Sequence, residues 1–262
     1  MGGAPAVAGR EEARAGLRAL SRAGAQGRPV SLAGQRLLPV DPVLAGLLPD
    51  GGLRRGSTLS IGGTGGGTSL VFALTSAASR AGSWMAAVGL PELGVVAAAQ
   101  MGLDLGRFAL VPSVGEQWPV VAAALLDGVD VLLLGLSGLP GPVRPVDARR
   151  LVARARERGV VLLVLSSLPA MTSASLGRGS RRGAPAWPEP AEVCLHVDGV
   201  GWAGLGRGHG HLQARMVDVT TSGRRAAAQL RRNRLWLPGP DGRPAVAEAA
   251  LVGTAPAAVV GS

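Results

Sequence analysis

Apolar and polar positions along this chain fall into two alternating rhythms. Residues 57–61 (STLSI), 84–90 (WMAAVGL), 108–111 (FALV), 129–136 (VDVLLLGL) and 160–167 (VVLLVLSS) are short, largely apolar runs and read as strands. Between them the spacing turns helical, over 69–80, 94–102, 117–126 and 147–158. Ala81-Gly82 closes the first of these helices, and Gly159 closes the last. Pro119 stands near the first turn of 117–126, where its missing N–H leaves no bond unmade. Upstream, residues 8–24 set Ala13, Leu17 and Leu20 on one face of a surface helix, which either covers the sheet or docks on a neighbouring subunit.

Strands apolar throughout and alternating with helices predict a parallel sheet covered on both faces. The fold class is therefore α/β, a three-layer core with a mostly parallel sheet, an amino-terminal helix and a flexible carboxyl tail. After residue 168 the rhythm breaks. Residues 171–190 are rich in Gly, Ser, Arg and Pro and read as a mobile loop, and 191–220 hold two alternating runs split by glycines, a hairpin pattern. From Pro238 the sequence reads as a disordered tail. This divides the chain into 1–44 (helix and linker), 45–220 (core) and 221–262 (basic segment and tail).

Composition changes this picture in a few places. All 27 basic residues are arginine, the sequence contains no lysine, and the formal net charge is +10. Such a charge suits phosphate-bearing partners, although heavy use of Ala, Gly, Arg and Pro has the character of GC-rich coding. With 3% aromatic residues, a platform that stacks many bases is excluded. Cys194 is the single cysteine, which rules out an intramolecular disulfide and suits a reducing cytosol. Asp127 and Asp130 interrupt the most apolar stretch, and the amino terminus lacks the basic-then-apolar pattern of a leader. The expectation is a soluble, cytoplasmic protein with no membrane contact.

The candidate chemistry centres on residues 60–70, SIGGTGGGTSL. Gly62, Gly67 and Ser69 match the phosphate-cradling spacing G-x-x-x-x-G-K-[ST], with Thr68 where the lysine belongs. Backbone N–H groups and the following helix start would surround phosphates there, and Ser69 would offer magnesium a hydroxyl. A carboxylate to hold that magnesium is also missing, because the 129–136 strand carries Gly135 at the corresponding place. Phosphoryl transfer depends on positioning and electrostatics, so losing both charges removes catalysis before it removes fold. Gly62, Gly67, Thr68 and Ser69 read as a vestigial phosphate loop kept as a tight strand-to-helix connection. No catalytic residue is assigned, and the protein is expected not to be an enzyme; ATP and magnesium enter only if a variant loop still works.

Other groups carry weaker signals. Glu92 follows an apolar strand but has no second carboxylate, and reads as solvated or as part of a helix start; Asp127 and Asp130 read as turn markers. Cys194, His196, His209 and His211 lack the spacing of a structural zinc site, so no metal is expected. Arg178, Arg181 and Arg182 sit in the Gly-rich loop, either as DNA-binding residues reaching phosphates or as a solvated loop. Arg231, Arg232, Arg234 and Trp236, with Arg224 and Arg225 before them, form either a partner-binding segment or a last core strand.

The segment GGLRRGSTLSIGGTGGGTSLVFALTSAASRAG resembles the start of the RecA recombinase core. GLPELGVVAAAQMGLDLGRFALVPS resembles its next segment, in which Glu92 would match the family's water-activating glutamate. GVDVLLLGLSGL and RERGVVLLVLSSLPAMTSASLGRG resemble the magnesium-aspartate strand and the strand leading to a DNA-binding loop. The likeness covers roughly residues 45–220 and departs at Thr68 and Gly135. Those departures resemble the RecA-like accessory proteins of the damage-inducible mutasome. That resemblance implies a role in SOS-induced, mutagenic translesion synthesis, with a Y-family polymerase-like protein and an error-prone replicative polymerase as partners. DNA is a secondary partner, with association to the nucleoid when engaged. The alternative is a DNA-dependent RecA-like ATPase with a variant loop; a generic DNA-binding protein is a third reading.

Overall fold

The computed structural model describes residues 36–167, 186–205, 210–224 and 230–247. The expected helix over 8–24, the arginines at 178, 181 and 182, and His209 lie outside those residues, as does the side chain of His211. In chain order the elements are β1 (Leu37–Leu38), α1 (Pro42–Ala45), β2 (Leu53–Arg54), β3 (Thr58–Gly63), α2 (Gly67–Arg80), β4 (Met85–Val88) and α3 (Val95–Gln100). They continue as β5 (Phe108–Val111), α4 (Trp118–Leu125), β6 (Val131–Gly135), α5 (Pro145–Arg158), β7 (Val161–Ser167), β8 (Val193–Leu205), β9 (Gly210–Gly223), β10 (Arg231–Trp236) and β11 (Ala245–Val246).

Among the described residues a nine-stranded sheet runs in the order β11-β10-β9-β8-β3-β7-β6-β4-β5. From β8 to β5 every pairing is parallel, and β9, β10 and β11 add an antiparallel extension. The strand period of two sorts the side chains onto two faces. Val131 and Leu133 of β6 join α2 residues such as Leu70 and Leu74 in one core. Leu132 and Leu134 point the other way and pack with Trp118 and Ala122 of α4 and Leu151 of α5. Both faces are thus covered, which explains why β6 is apolar at every position. The three-layer expectation holds.

Helix ends follow from their capping residues. Gly159 closes α5 in the left-handed conformation at φ 64°, and Val160 N donates to Ala155 O at 2.9 Å. Pro119 falls in the first turn of α4. α2 opens at Gly67, earlier than the expected Ser69, because Gly66 caps it from φ 96°.

Three boundaries need correction. Residues 36–44 are not a linker: Leu38 and Leu44 are fully buried, and β1 pairs with β2. The division at 220 cuts through β9, and the basic run 231–236 is an ordered strand paired along its whole length with β9. Pro238–Ala247 is not a disordered tail. Gly239 N donates to Arg243 O at 2.7 Å to close a turn, and β11 returns to pair with Leu235 and Trp236.

Candidate functional site

The parallel pairing of β3 with both β7 and β8 delivers the glycine loop to the carboxyl end of the sheet, between Ser166 of β7 and His196 of β8. Gly62 is the penultimate residue of β3, Gly67 opens α2, and half-buried Thr68 and Ser69 occupy its first turn. The four residues singled out from sequence therefore flank one strand-to-helix junction, where α2 directs its positive end toward the loop.

Close packing accounts for glycines that the phosphate motif does not require. Gly63 has φ 136°, and a Cβ there would collide with the Val197 carbonyl and lie 2.6 Å from its nitrogen. A Cβ on Gly65 would run into the Arg215 guanidinium, and one on Gly66 would stand 3.0 Å from a Val217 methyl. Gly65 also directs its N–H to Val197 O, at 3.4 Å. The loop thus lies against β8 and β9, and part of its backbone polarity is spent on that contact.

Arg215 was not legible as a site residue. The β8–β9 register sets it opposite Trp202, and its guanidinium carbon lies 5.0 Å from the Trp202 ring centroid, a cation–π contact. Burial lowers its pKa, and no carboxylate among the described residues pairs with it. A cation with no ion pair among the described residues thus rests on a glycine loop at the positive end of a helix. Beside it, Thr64 Oγ1 donates to Asp198 Oδ1 at 2.9 Å, and His196 Nε2 lies 3.3 Å from the same oxygen.

The position expected to carry a magnesium carboxylate has no room for a side chain. Gly135 ends β6 with its α-carbon pressed against the β4–α3 turn, so a Cβ would collide with the Leu90 side chain and lie 2.5 Å from Gly89 O. No carboxylate fits at 135 while that turn stays in place. Glu92, in the exposed turn that follows, is solvated.

Asp127 and Asp130 do more than mark a turn. Asp127 bridges Arg154 and Arg158, and its pKa is lowered chiefly by the hydrogen bond from Arg154. Asp130 is buried and accepts from Arg55 Nη1 at 2.8 Å and from Trp84 N at 3.0 Å, linking three segments. Cys194 is half-buried in β8, and burial raises its pKa. Among the described residues no three His, Cys, Asp or Glu side chains gather as metal ligands, and no helix is long and apolar enough to cross a membrane.

The basic cluster on β10 is partly engaged inside the chain. Arg231 Nη1 donates to Gly46 O and Leu48 O, each at 3.2 Å. Arg234 grips Asp218 with two bonds of 2.6 and 2.8 Å. Arg232 is exposed, and Trp236 is half-buried between Met216 and Ala245.

Comparison with known proteins agrees with this architecture. The family described as MT3502 N-terminal domain matches residues 46–170. The uncharacterized protein Rv3395c of Mycobacterium tuberculosis is 40% identical over 128 residues, covering 49% of this chain and 56% of that protein. The chain thus aligns with little more than half of that relative's length. Among solved structures, the KaiC-like protein PH0186 from Pyrococcus horikoshii OT3 superposes with a TM-score of 0.53 at 17% identity, over 82% of this chain and 99% of that one. The RadB recombinase superposes with a TM-score of 0.51 at 14% identity, over 74% and 92%. The fold is RecA-like.

Proposed function

We propose that this chain is a non-hydrolysing RecA-like accessory protein of DNA damage tolerance, acting through protein contacts in mutagenic translesion synthesis. The observation that carries the reading is the loss of both charges of phosphate chemistry on an otherwise intact RecA-like frame. Thr68 replaces the cation, and Gly135 sits where a carboxylate has no room. A frame kept after its reactive groups are gone has binding left as its task. The departures from the RecA pattern at these same positions supply the link to the mutasome.

In this reading the partners are a Y-family polymerase-like protein and an error-prone replicative polymerase, met in the cytoplasm at the nucleoid. Arg232, exposed on β10, is a basic side chain of that strand that remains available to them. DNA is a secondary contact, through Arg178, Arg181 and Arg182. The test is affinity capture of the tagged full chain from cells with damaged DNA, compared with Arg232→Glu. Recovery of both polymerases, weakened by the substitution, is expected; capture without either polymerase would contradict the reading.

A second reading, nucleotide binding without hydrolysis, is favoured by Arg215. Its guanidinium, unpaired with any carboxylate among the described residues, would stand in at the glycine loop for the missing lysine as a neutralising charge, but it offers no magnesium ligand. Ligand binding to the native state raises the melting temperature. A rise with ATP that disappears in Arg215→Ala would favour this reading over a purely structural loop.

A further inference from the structure

The end of the sheet opposite the glycine loop carries a concavity that the RecA-like site does not use. It lies where the β2–β3 turn, the last turn of α5, the start of β8 and the end of β9 converge, and its volume is about 480 Å³. Small-molecule sites commonly occupy roughly 300–1,000 Å³. Four arginines, Arg54, Arg55, Arg156 and Arg224, line it against two carboxylates, Asp50 and Glu192.

The arginines are unequally engaged. Arg54 is held by Asp50 at 2.7 Å, whereas Arg156 reaches Glu192 only at 3.5 Å. Arg224 is exposed and forms no ion pair among the described residues. Arg55 is the unusual member, with a side chain only 9% exposed. Its Nη1 donates to Asp130 and to Gly159 O, while its buried Nε and Nη2 find no acceptor among the described residues. The Arg55 guanidinium is thus closed off from solvent and bound to Asp130 and Gly159, and the arginines open to a ligand are Arg156, loosely paired, and Arg224, unpaired among the described residues.

We propose that this cavity binds a phosphate-bearing ligand, held by Arg156 and Arg224 at its mouth. Guanidinium groups match the oxygens of phosphate and carboxylate alike. Several of them around one cavity favour the group with more oxygens and more charge, which is phosphate. Glu192 is the group such a ligand displaces from Arg156. This site is independent of the accessory role and of Arg215.

Calorimetric titration of the full chain with inorganic pyrophosphate at near-physiological salt tests the assignment. Saturable binding is expected, weakened about tenfold by Arg156→Ala and by Arg224→Ala, each of which removes a charge-assisted contact. Both side chains are exposed, so the fold should survive, and melting curves check this. Glu192→Gln should tighten binding, and Arg215→Ala should leave it unchanged, which separates this site from the glycine loop. Displacement of pyrophosphate by a short single-stranded oligonucleotide would identify the phosphate as that of a DNA backbone; its absence would identify a free phosphorylated compound. No saturable binding, or binding that survives both arginine substitutions, would overturn the proposal.

Discussion

At its entry β3 is anchored by a buried ion pair, Arg55 with Asp130; at its exit it meets a glycine loop under Arg215, a cation with no carboxylate partner among the described residues. The entry pair joins the β2–β3 turn to the start of β6, and Asp130 also holds the Trp84 N–H. Removing either partner would strand a buried charge. At the exit, Thr68 stands where a phosphotransferase carries a lysine, and at the end of neighbouring β6 the Gly89 backbone and the Leu90 side chain leave no room for a side chain at Gly135. The difference separates two uses of charge. Where charge holds elements together it persists in buried form, and where it would act on a ligand the fold stands without it.

The sharpest way to break this contrast is at the entry. Asp130→Ala is expected to cost about 3–5 kcal/mol in urea unfolding, since Arg55 is left buried and unpaired. A loss below about 1 kcal/mol, the range of surface pairs, would mean that Arg55 reaches water and that the pair does not anchor β3. The next largest effect belongs to the exit loop's shape. Gly63→Ala combines positive φ with a collision against Val197 backbone, and is expected to cost about 3 kcal/mol. Gly65→Ala has only to push aside the end of the Arg215 side chain and should cost about 1 kcal/mol or less. Equal costs at the two positions would remove the packing explanation of the glycines.

These residues also mark where sequence and structure part. The strands β3 to β7, the helices between them and the glycine junction were legible because each is a local pattern of spacing and caps. Asp130 was not, because its partner Arg55 lies 75 positions away and nothing local distinguishes a bridging aspartate from a turn aspartate. Arg215 was hidden for the same reason: it reaches the loop only through the β8–β9 register and the pairing of β8 with β3. β10 was ambiguous because arginine fills its outward positions at the sheet's far side, giving a basic run in which only Leu235 is buried. The turn after Pro238 reads as tail-like from its Gly and Pro content, yet its hydrogen bonds and β11 order it.

Smaller effects sharpen the comparison. Arg215→Ala should change stability by no more than about 1 kcal/mol, the scale of an exposed cation–π contact. A larger loss would make Arg215 a structural tie like Arg55. The weakest effect comes from Asp127 and Asp218, whose pKa values are lowered first by hydrogen bonds from Arg154 and Arg234. A depressed carboxylate contributes stability above its unfolded pKa of about 3.9 and loses it as pH falls through the lower folded value. Their side chains are 40% and 42% exposed, so solvent screening holds each contribution to about 0.5 kcal/mol or less. Melting temperatures should therefore fall only slightly from these two groups below pH ~4, and Asp218→Asn should remove its share of that slope.

The central proposal is that the exit of β3 performs no phosphate chemistry, and ATP turnover by the purified full chain with magnesium and single-stranded DNA tests it most directly. The expected result is a rate indistinguishable from that of Ser69→Ala, with and without DNA. DNA-stimulated hydrolysis that Ser69→Ala abolishes would contradict it.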